Sequence, residues 1–173
     1  MPELIRLPVT DHLDLVAPPV AAALEGWAGA AGVTVVEINP DFADTAAMSA
    51  HYDVPMEGGA NCVVVAGRRG GEERIAACVV RADTRADVNN RVKRLLDVRK
   101  CSFLPMERAV TESGMEYGGI TPVGLPAEWR VLVDVKATAI EEAIIGSGVR
   151  RSKLLLPGAL LAELPGAEVV DIA

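Results

Sequence analysis

Apolar residues along the chain cluster into short runs of valine, isoleucine and leucine, separated by polar and glycine-containing segments. Residues 33–38 predict a buried strand, and residues 61–66 and 74–82 predict two strands that the glycine-rich segment 67–71 joins as a hairpin. Further short strands are predicted at positions 101–104, 131–135, 143–145, 153–156 and 167–172.

Alanine-rich stretches, capping residues and prolines predict the helices. Residues 17–31 combine alanines with other good helix formers before Gly32 interrupts them, and Asp41 or Asp44 is placed to cap the next helix. Thr138 and Glu141 have the spacing of a capping box. The predicted helices cover residues 17–31, 41–51, 84–96, 105–114 and 157–164.

Strands interleaved with short helices indicate an α+β (mixed α/β) fold. The 173 residues suit a single domain over positions 1–173. We predict one mixed, mostly antiparallel sheet, or a partly closed barrel, surrounded by short helices. Half of the residues are hydrophobic but only 3% are aromatic, so the core is expected to consist of aliphatic side chains.

Composition argues against several kinds of protein and site. No apolar run approaches 18 residues and residues 1–8 lack the pattern of a signal peptide, which predicts a cytoplasmic protein without a membrane segment. Cys62, Cys78 and Cys101 lie too far apart for a zinc motif, and the two histidines have no patterned partner. We therefore expect no bound metal and no cofactor.

The charge is negative overall but unevenly distributed. Residues 68–100 contain ten basic and five acidic side chains, a local net charge of +5, whereas the whole chain carries −7. A solvated helix face accounts for part of this segment, and a patch that contacts phosphates is the alternative. Such asymmetry would suit a protein that touches only the end of a nucleic acid.

Residues 117–126 contain too many glycines and prolines for a helix or a regular strand. Adjacent Gly118 and Gly119 permit unusual backbone angles and a close approach of backbone amides to a ligand, while Pro122 and Pro126 fix the path of the chain. The segment is therefore predicted to be a shaped loop, which either connects two elements tightly or binds a ligand.

The order of these elements resembles the YbaK/EbsC family, the free-standing relatives of the editing domain inserted in bacterial prolyl-tRNA synthetases. The likeness covers about residues 33–173, which leaves residues 1–32 as an N-terminal helical addition. It rests on the helix start at residues 41–47, the basic helix, the helix 105–114, the loop 118–125, residues 146–148 and the closing helix.

The resemblance implies a trans-acting hydrolase that removes the wrong amino acid from the 3′-terminal adenosine of mischarged tRNA. Its partners would be the acceptor end of aminoacyl-tRNA and an aminoacyl-tRNA synthetase. The family's Gly-x-x-x-Pro loop falls on residues 118–122, so Gly118, Gly119 and Pro122 are the expected catalytic positions. Positioning and amide donors can accelerate cleavage of an activated ester without a nucleophile or a metal.

The chain departs from the family where the first hairpin strand begins. Asn61 stands where a lysine that engages the terminal phosphate is expected, and a neutral amide binds phosphate less strongly than an ammonium. Arg68, Arg69 or Arg85 could compensate for the missing charge. The alternative function is a binding module for tRNA or an aminoacyl nucleotide that kept the fold and lost hydrolysis, and a third is a small-molecule hydrolase or binding protein.

Further substrate-binding positions follow from the same likeness and from their places in the predicted elements. Tyr117 could stack on the terminal adenine. Asp134 could orient the substrate amine, and as a residue at a strand end it could equally be structural. The remaining positions are Thr45, Met48, His51, Thr121, Ser147 and Gly148.

Overall fold

A computed structural model describes residues 3–173. Within this range the strands are β1 (Leu7–Pro8), β2 (Thr34–Glu37), β3 (Ala60–Arg69), β4 (Glu72–Arg81), β5 (Cys101–Phe103), β6 (Arg130–Asp134), β7 (Ala143–Gly146), β8 (Ser152–Leu156) and β9 (Ala167–Val170). The α-helices are α1 (Pro18–Glu25), α2 (Thr45–Tyr52), α3 (Lys93–Leu96), α4 (Met106–Ser113), α5 (Val135–Thr138) and α6 (Gly158–Leu161).

The strands form two sheets. The smaller sheet has the order β1-β2-β8-β7 and is antiparallel throughout, and the larger one has the order β5-β3-β4-β6-β9. In the larger sheet β3 is antiparallel to β4 and β5, whereas β6 runs parallel to both β4 and β9. The mixed α/β class is therefore confirmed, with the strands divided between two sheets.

The two sheets meet at a single β-bridge between Gly59 and Ile144. Beyond this bridge β3 pairs with β4 along its whole length, but its other edge pairs with β5 only at residues 65–67. The start of β3 therefore has no strand partner on the side that faces β7.

Three predicted helix boundaries are wrong for local reasons. Gly26 ends α1, and a 3₁₀ turn follows from Ala28 to Gly32. The basic helix begins at Val88 with a π turn, because the Thr84 hydroxyl donates to the Arg81 carbonyl and closes a turn after β4. Thr138 is the last residue of α5 and does not cap a new helix; its hydroxyl donates to the Val135 carbonyl.

The N-terminal segment packs into the main core. β1 pairs with β2, and Val20 and Leu24 of α1 are buried in one cluster with Met115, Val123 and the inner residues of both sheets. A second cluster lies on the other face of the large sheet, beneath α3. Aliphatic side chains dominate both clusters, as the composition predicts.

Asp134 joins the end of the large sheet to α5. Its buried carboxylate accepts the backbone N–H of Lys136 at 3.0 Å, and it caps α5 in this way. It also accepts the N–H groups of Ile172 at 2.8 Å and Ala173 at 3.0 Å. The carboxylate therefore satisfies three amide donors that would otherwise lack partners.

We expect Asp134→Ala to lower the free energy of unfolding by about 2–4 kcal/mol, because it leaves these donors without an acceptor. Urea denaturation would measure the change. Asp11→Ala is the matched control, since Asp11 is exposed, and its unfolding energy should stay within about 0.5 kcal/mol of wild type. Equal effects of the two substitutions would contradict a structural role for Asp134.

Candidate active site

A cavity of about 470 Å³ opens where the two sheets separate. The unpaired start of β3 forms one wall and the end of β7 forms another, while α2 and the glycine loop close the remaining sides. Met48, Ile120 and Ile144 make much of the lining apolar. The cavity is large enough to hold an amino-acid side chain together with part of a nucleoside.

A hydrogen bond between two cavity-lining side chains connects α2 to β3. The Thr45 hydroxyl donates to Asn61 Oδ1 at 2.7 Å, and both residues line the cavity. Thr45 is placed by the first turn of α2, which follows Asp44 at the N-cap. The hydrogen bond holds the Asn61 amide plane, so its nitrogen has a defined direction for donating to a ligand.

Gly118 lies at the edge of the cavity with a φ of +78°. A Cβ at this position would overlap Nη1 of Arg150. The Arg150 guanidinium donates to the carbonyls of Tyr117 at 3.3 Å and Pro40 at 3.0 Å, and it lies 3.5 Å from Asp44. Glycine is therefore favoured here by its backbone angle, and a side chain would displace the arginine that connects the loop to the region before α2.

Gly119 has a different role from its neighbours. Its N–H donates to the Glu116 carbonyl at 2.9 Å, and its carbonyl accepts the Gly148 N–H at 2.7 Å. By contrast, Gly118 and Ile120 line the cavity, and their N–H groups have no hydrogen-bond acceptor within residues 3–173. The amides free to meet a ligand are thus the two that flank Gly119.

Five of the predicted site residues line the cavity, and the others lie elsewhere. The lining residues are Thr45, Met48, Asn61, Tyr117 and Gly118. Tyr117 is 58% exposed at the rim, where its ring is open to a partner.

From Thr121 onward, the glycine loop does not line the cavity. Pro122 lines a separate apolar pocket beside the two tryptophans. Thr121 is fully buried outside the cavity lining, and its hydroxyl finds no hydrogen-bond partner in the described chain.

His51 lies on the outside of α2, where its ring stacks on Phe42 at a centroid distance of 3.8 Å.

Asp134, Ser147 and Gly148 support the structure around the site. Asp134 caps α5 as described above. The buried Ser147 hydroxyl lies 2.7 Å from the Ser152 hydroxyl and 3.0 Å from the Ser152 carbonyl oxygen. These hydrogen bonds stabilise the turn between β7 and β8. Gly148 has a φ of +86°, and a Cβ there would collide with Ala17. None of these three residues lines the cavity.

The cavity contains a charged residue that the sequence interpretation missed. Lys153 of β8 is only 9% exposed and lines the cavity, and within the described chain its ammonium makes no hydrogen bond or salt bridge. Burial lowers the pKa of Lys153, opposed by the nearby charge of Asp44 and assisted by that of Arg150. The signal in the sequence was a lysine at the start of the predicted strand 153–156, whose other residues are all leucine.

The basic segment 68–100 supplies no side chain to the cavity. Arg68 and Arg69 lie at the hairpin tip and pair with Glu73 and Asp97, and Arg85 does not line the cavity either. Five of the ten basic residues in this segment form salt bridges, namely Arg68, Arg69, Arg74, Arg81 and Arg91. The compensating charge expected from Arg68, Arg69 or Arg85 is therefore not present in the cavity.

The cavity contains one thiol, that of Cys62. Burial raises the pKa of Cys62, so the thiol stays protonated at neutral pH and is a poor nucleophile.

Across residues 3–173, no three His, Cys, Asp or Glu side chains are grouped as metal ligands. No helix in this range is both long and apolar enough to span a membrane.

Solved structures with the same fold include two of similar size. A candidate trans-editing enzyme for prolyl-tRNA synthetase superposes with a TM-score of 0.75 at 21% identity, covering 91% of this chain and 98% of that one. The hypothetical protein APE2540 gives a TM-score of 0.75 at 22% identity, covering 87% and 98%. At these identities the likeness establishes the fold.

A larger protein contains a similar unit. A candidate signal-transduction protein from Marinobacter aquaeolei VT8 matches with a TM-score of 0.61 at 16% identity, covering 89% of this chain but only 30% of that one. A sequence search of curated proteins found no match.

The family comparison covers the residues that build the cavity. The model of the aminoacyl-tRNA editing domain matches residues 39–164, a span that includes α2, both walls of the cavity, the glycine loop and Lys153. This match extends over well more than half of the chain, and the YbaK-like resemblance of the sequence is thereby confirmed. The chain belongs to the aminoacyl-tRNA editing domain family.

Proposed function

We propose that this protein is a trans-acting aminoacyl-tRNA deacylase, which hydrolyses the ester between a wrong amino acid and the 3′-terminal adenosine of tRNA. The observation that carries the proposal is the cavity itself, whose lining combines Gly118 and Ile120, two loop residues with unengaged N–H groups, with the polar pair Thr45–Asn61. A synthetase that releases the mischarged tRNA would supply the substrate.

The chemistry requires positioning more than a strong nucleophile. Water adds to the ester carbonyl carbon, and negative charge develops on the carbonyl oxygen. The free N–H groups of Gly118 and Ile120 can donate to that oxygen. Since the thiol of Cys62 stays protonated, direct attack by water fits this cavity better than a covalent thioester intermediate.

The remaining lining residues would bind the two ends of the substrate. The Asn61 amide, held by Thr45, is placed to hydrogen-bond the terminal nucleotide or the amino group. Tyr117 at the rim offers its ring to the terminal adenine, and one such stack contributes about 1–3 kcal/mol. Met48, Ile120 and Ile144 would receive the amino-acid side chain.

The alternative is a binding module that has lost hydrolysis, and Asn61 in place of the family's lysine is the observation that favours it. An occluded cavity would support that alternative. The cavity is open instead, with exposed Tyr117 at its rim and unengaged amides in its lining. These features favour a site that still accepts its substrate.

The first prediction is that the purified protein releases the amino acid from at least one member of a panel of mischarged tRNAs. Ester loss would be followed with labelled amino acids, against a correctly charged tRNA for each amino acid. Activity should survive dialysis against EDTA, because the described residues contain no cluster of metal ligands. Loss of activity in EDTA and its recovery with zinc would contradict the mechanism.

If no ester in the panel is hydrolysed while mischarged tRNA still binds, the binding-module alternative replaces the deacylase. Gel-shift titration of the same tRNAs distinguishes these two results. Absence of both binding and hydrolysis would contradict both functions.

A second prediction distinguishes two effects of substituting Gly118, namely the strain of its positive φ and the displacement of Arg150 beside the cavity. Gly118 and Gly166 both have a φ of +78°, but a Cβ at Gly166 meets nothing within 4 Å. Each change to alanine should cost about 1–2 kcal/mol of unfolding energy for the backbone angle. Only Gly118→Ala should also reduce deacylation, by about tenfold or more, because it displaces Arg150 beside the cavity.

Thermal melts and the deacylation assay would be measured on both alanine variants. Equal activity of Gly118→Ala and Gly166→Ala would contradict the placement of the ester beside this loop.

A third prediction concerns the dependence of tRNA binding on salt. No basic side chain of residues 68–100 lines the cavity and half of them are already paired, so a tRNA held by its acceptor end should place few phosphates against them. Each single-strand phosphate contact adds about −0.7 to the slope of log K against log salt, and we expect a slope no steeper than about −3. A slope steeper than about −4 would indicate broad contact with the tRNA body.

A further inference from the structure

Lys153 is an anomaly in the packing of the smaller sheet. It belongs to β8, the strand between β2 and β7, and all five residues of β8 are buried. A buried ammonium usually has a carboxylate or several carbonyls as partners, since burying an unpaired charge is costly. Across residues 3–173, no hydrogen bond or salt bridge engages this one.

The register of the sheet shows which way Lys153 points. Lys153 is directly opposite Gly146 of β7, and residues that face each other across antiparallel strands project to the same side of the sheet. A Cβ at Gly146 would lie 2.6 Å from the Gly119 carbonyl oxygen and 2.8 Å from that of Ile120. The Lys153 side chain therefore projects toward the face on which the glycine loop lies.

Three hydrogen-bond donors without acceptors thus line one cavity. They are the Lys153 ammonium and the backbone N–H groups of Gly118 and Ile120. Donors that lack partners in the free protein are suited to an oxygen that gains negative charge. Gly146 has no side chain to fill the space between Lys153 and the loop.

We propose that Lys153 is a catalytic residue, whose ammonium donates to the ester carbonyl oxygen and stabilises the oxyanion formed when water attacks. Water adds to the carbonyl carbon and the oxygen becomes negative. The tetrahedral intermediate then collapses with cleavage of the bond to the ribose oxygen, which takes up a proton as the free amino acid leaves. This inference rests on the proposed deacylase function and names the charged group of its site.

The surrounding charges are compatible with this role. Asp44 at the start of α2 favours the ammonium form, and Arg150 in the turn before β8 disfavours it. Cys62 faces the cavity from β3 as a neutral thiol. The positions opposite Lys153 in β2 and β7 are Val36 and Gly146, which are uncharged. Asp44 is therefore the nearby carboxylate, and it forms no hydrogen bond or salt bridge with the ammonium in the described chain.

The test is Lys153→Met, which keeps the length and the apolar stem and removes the charge. On the panel ester that wild type hydrolyses fastest, we expect kcat to fall about 100- to 1,000-fold with KM changed by less than about threefold, because the oxyanion exists only near the transition state. Lys153→Arg, which retains a charge, should keep an intermediate kcat. Lys136→Met is the control for an exposed lysine and should match wild type.

Thermal unfolding distinguishes this role from a structural one. A desolvated ammonium without a partner destabilises the folded state, so Lys153→Met should melt at the same temperature as wild type or higher. A clear fall in melting temperature would identify Lys153 as a structural residue and overturn the proposal.

Kinetics distinguish the remaining alternatives. A rise in KM with unchanged kcat would mean that Lys153 binds a ground-state anion such as the terminal phosphate, and an unchanged kcat/KM would mean that it binds nothing; either result overturns the proposal. A wild type that hydrolyses no ester in the panel would remove the deacylase function itself. An active wild type with an equally active Lys153→Met would remove the role of Lys153 alone.

Discussion

The separation of the two sheets after their single bridge, Gly59–Ile144, is the constraint on which the site depends. β3 pairs with β4 along its full length and β7 pairs with β8, whereas within residues 3–173 no strand pairing joins β3 to β7 beyond this bridge. The gap between them is covered by α2 and by the glycine loop. A cavity with polar backbone edges and an aliphatic lining is the result, and it lies within the span of the editing-domain family match.

The glycine loop is held in place by contacts that differ from residue to residue. Gly119 uses both its backbone groups within the protein, and this anchoring leaves the amides of Gly118 and Ile120 without partners. Arg150 connects the same loop to the chain before α2. The hydrogen bonds of Gly119 therefore hold the loop and also leave the N–H groups of Gly118 and Ile120 available, because fixing Gly119 orients the residues on either side of it.

Charge within the cavity is arranged differently from charge on the surface. Most surface arginines near the hairpin are paired with carboxylates, whereas Lys153, 9% exposed, makes no hydrogen bond or salt bridge within residues 3–173. The family position at Asn61 carries no charge in this chain. In the proposal for Lys153, the positive charge of the site comes from β8 of the other sheet and acts on the ester, not on the terminal phosphate.

Apolar patterning and turn chemistry by themselves determined the mixed α/β class, the β3–β4 hairpin, most strand positions and the shaped loop, because these depend on neighbouring residues. The same patterns misplaced the start of the helix near Val88 and assigned a capping box to Thr138, where side-chain hydrogen bonds within a turn prevail over capping. Of the site residues expected from the sequence, Thr45, Met48, Asn61, Tyr117 and Gly118 line one cavity. Only the tertiary structure assigned Asp134 and Ser147 to structural hydrogen bonds and brought Lys153 to the glycine loop, because contacts between distant strands depend on the register of the sheet and leave little trace in local sequence.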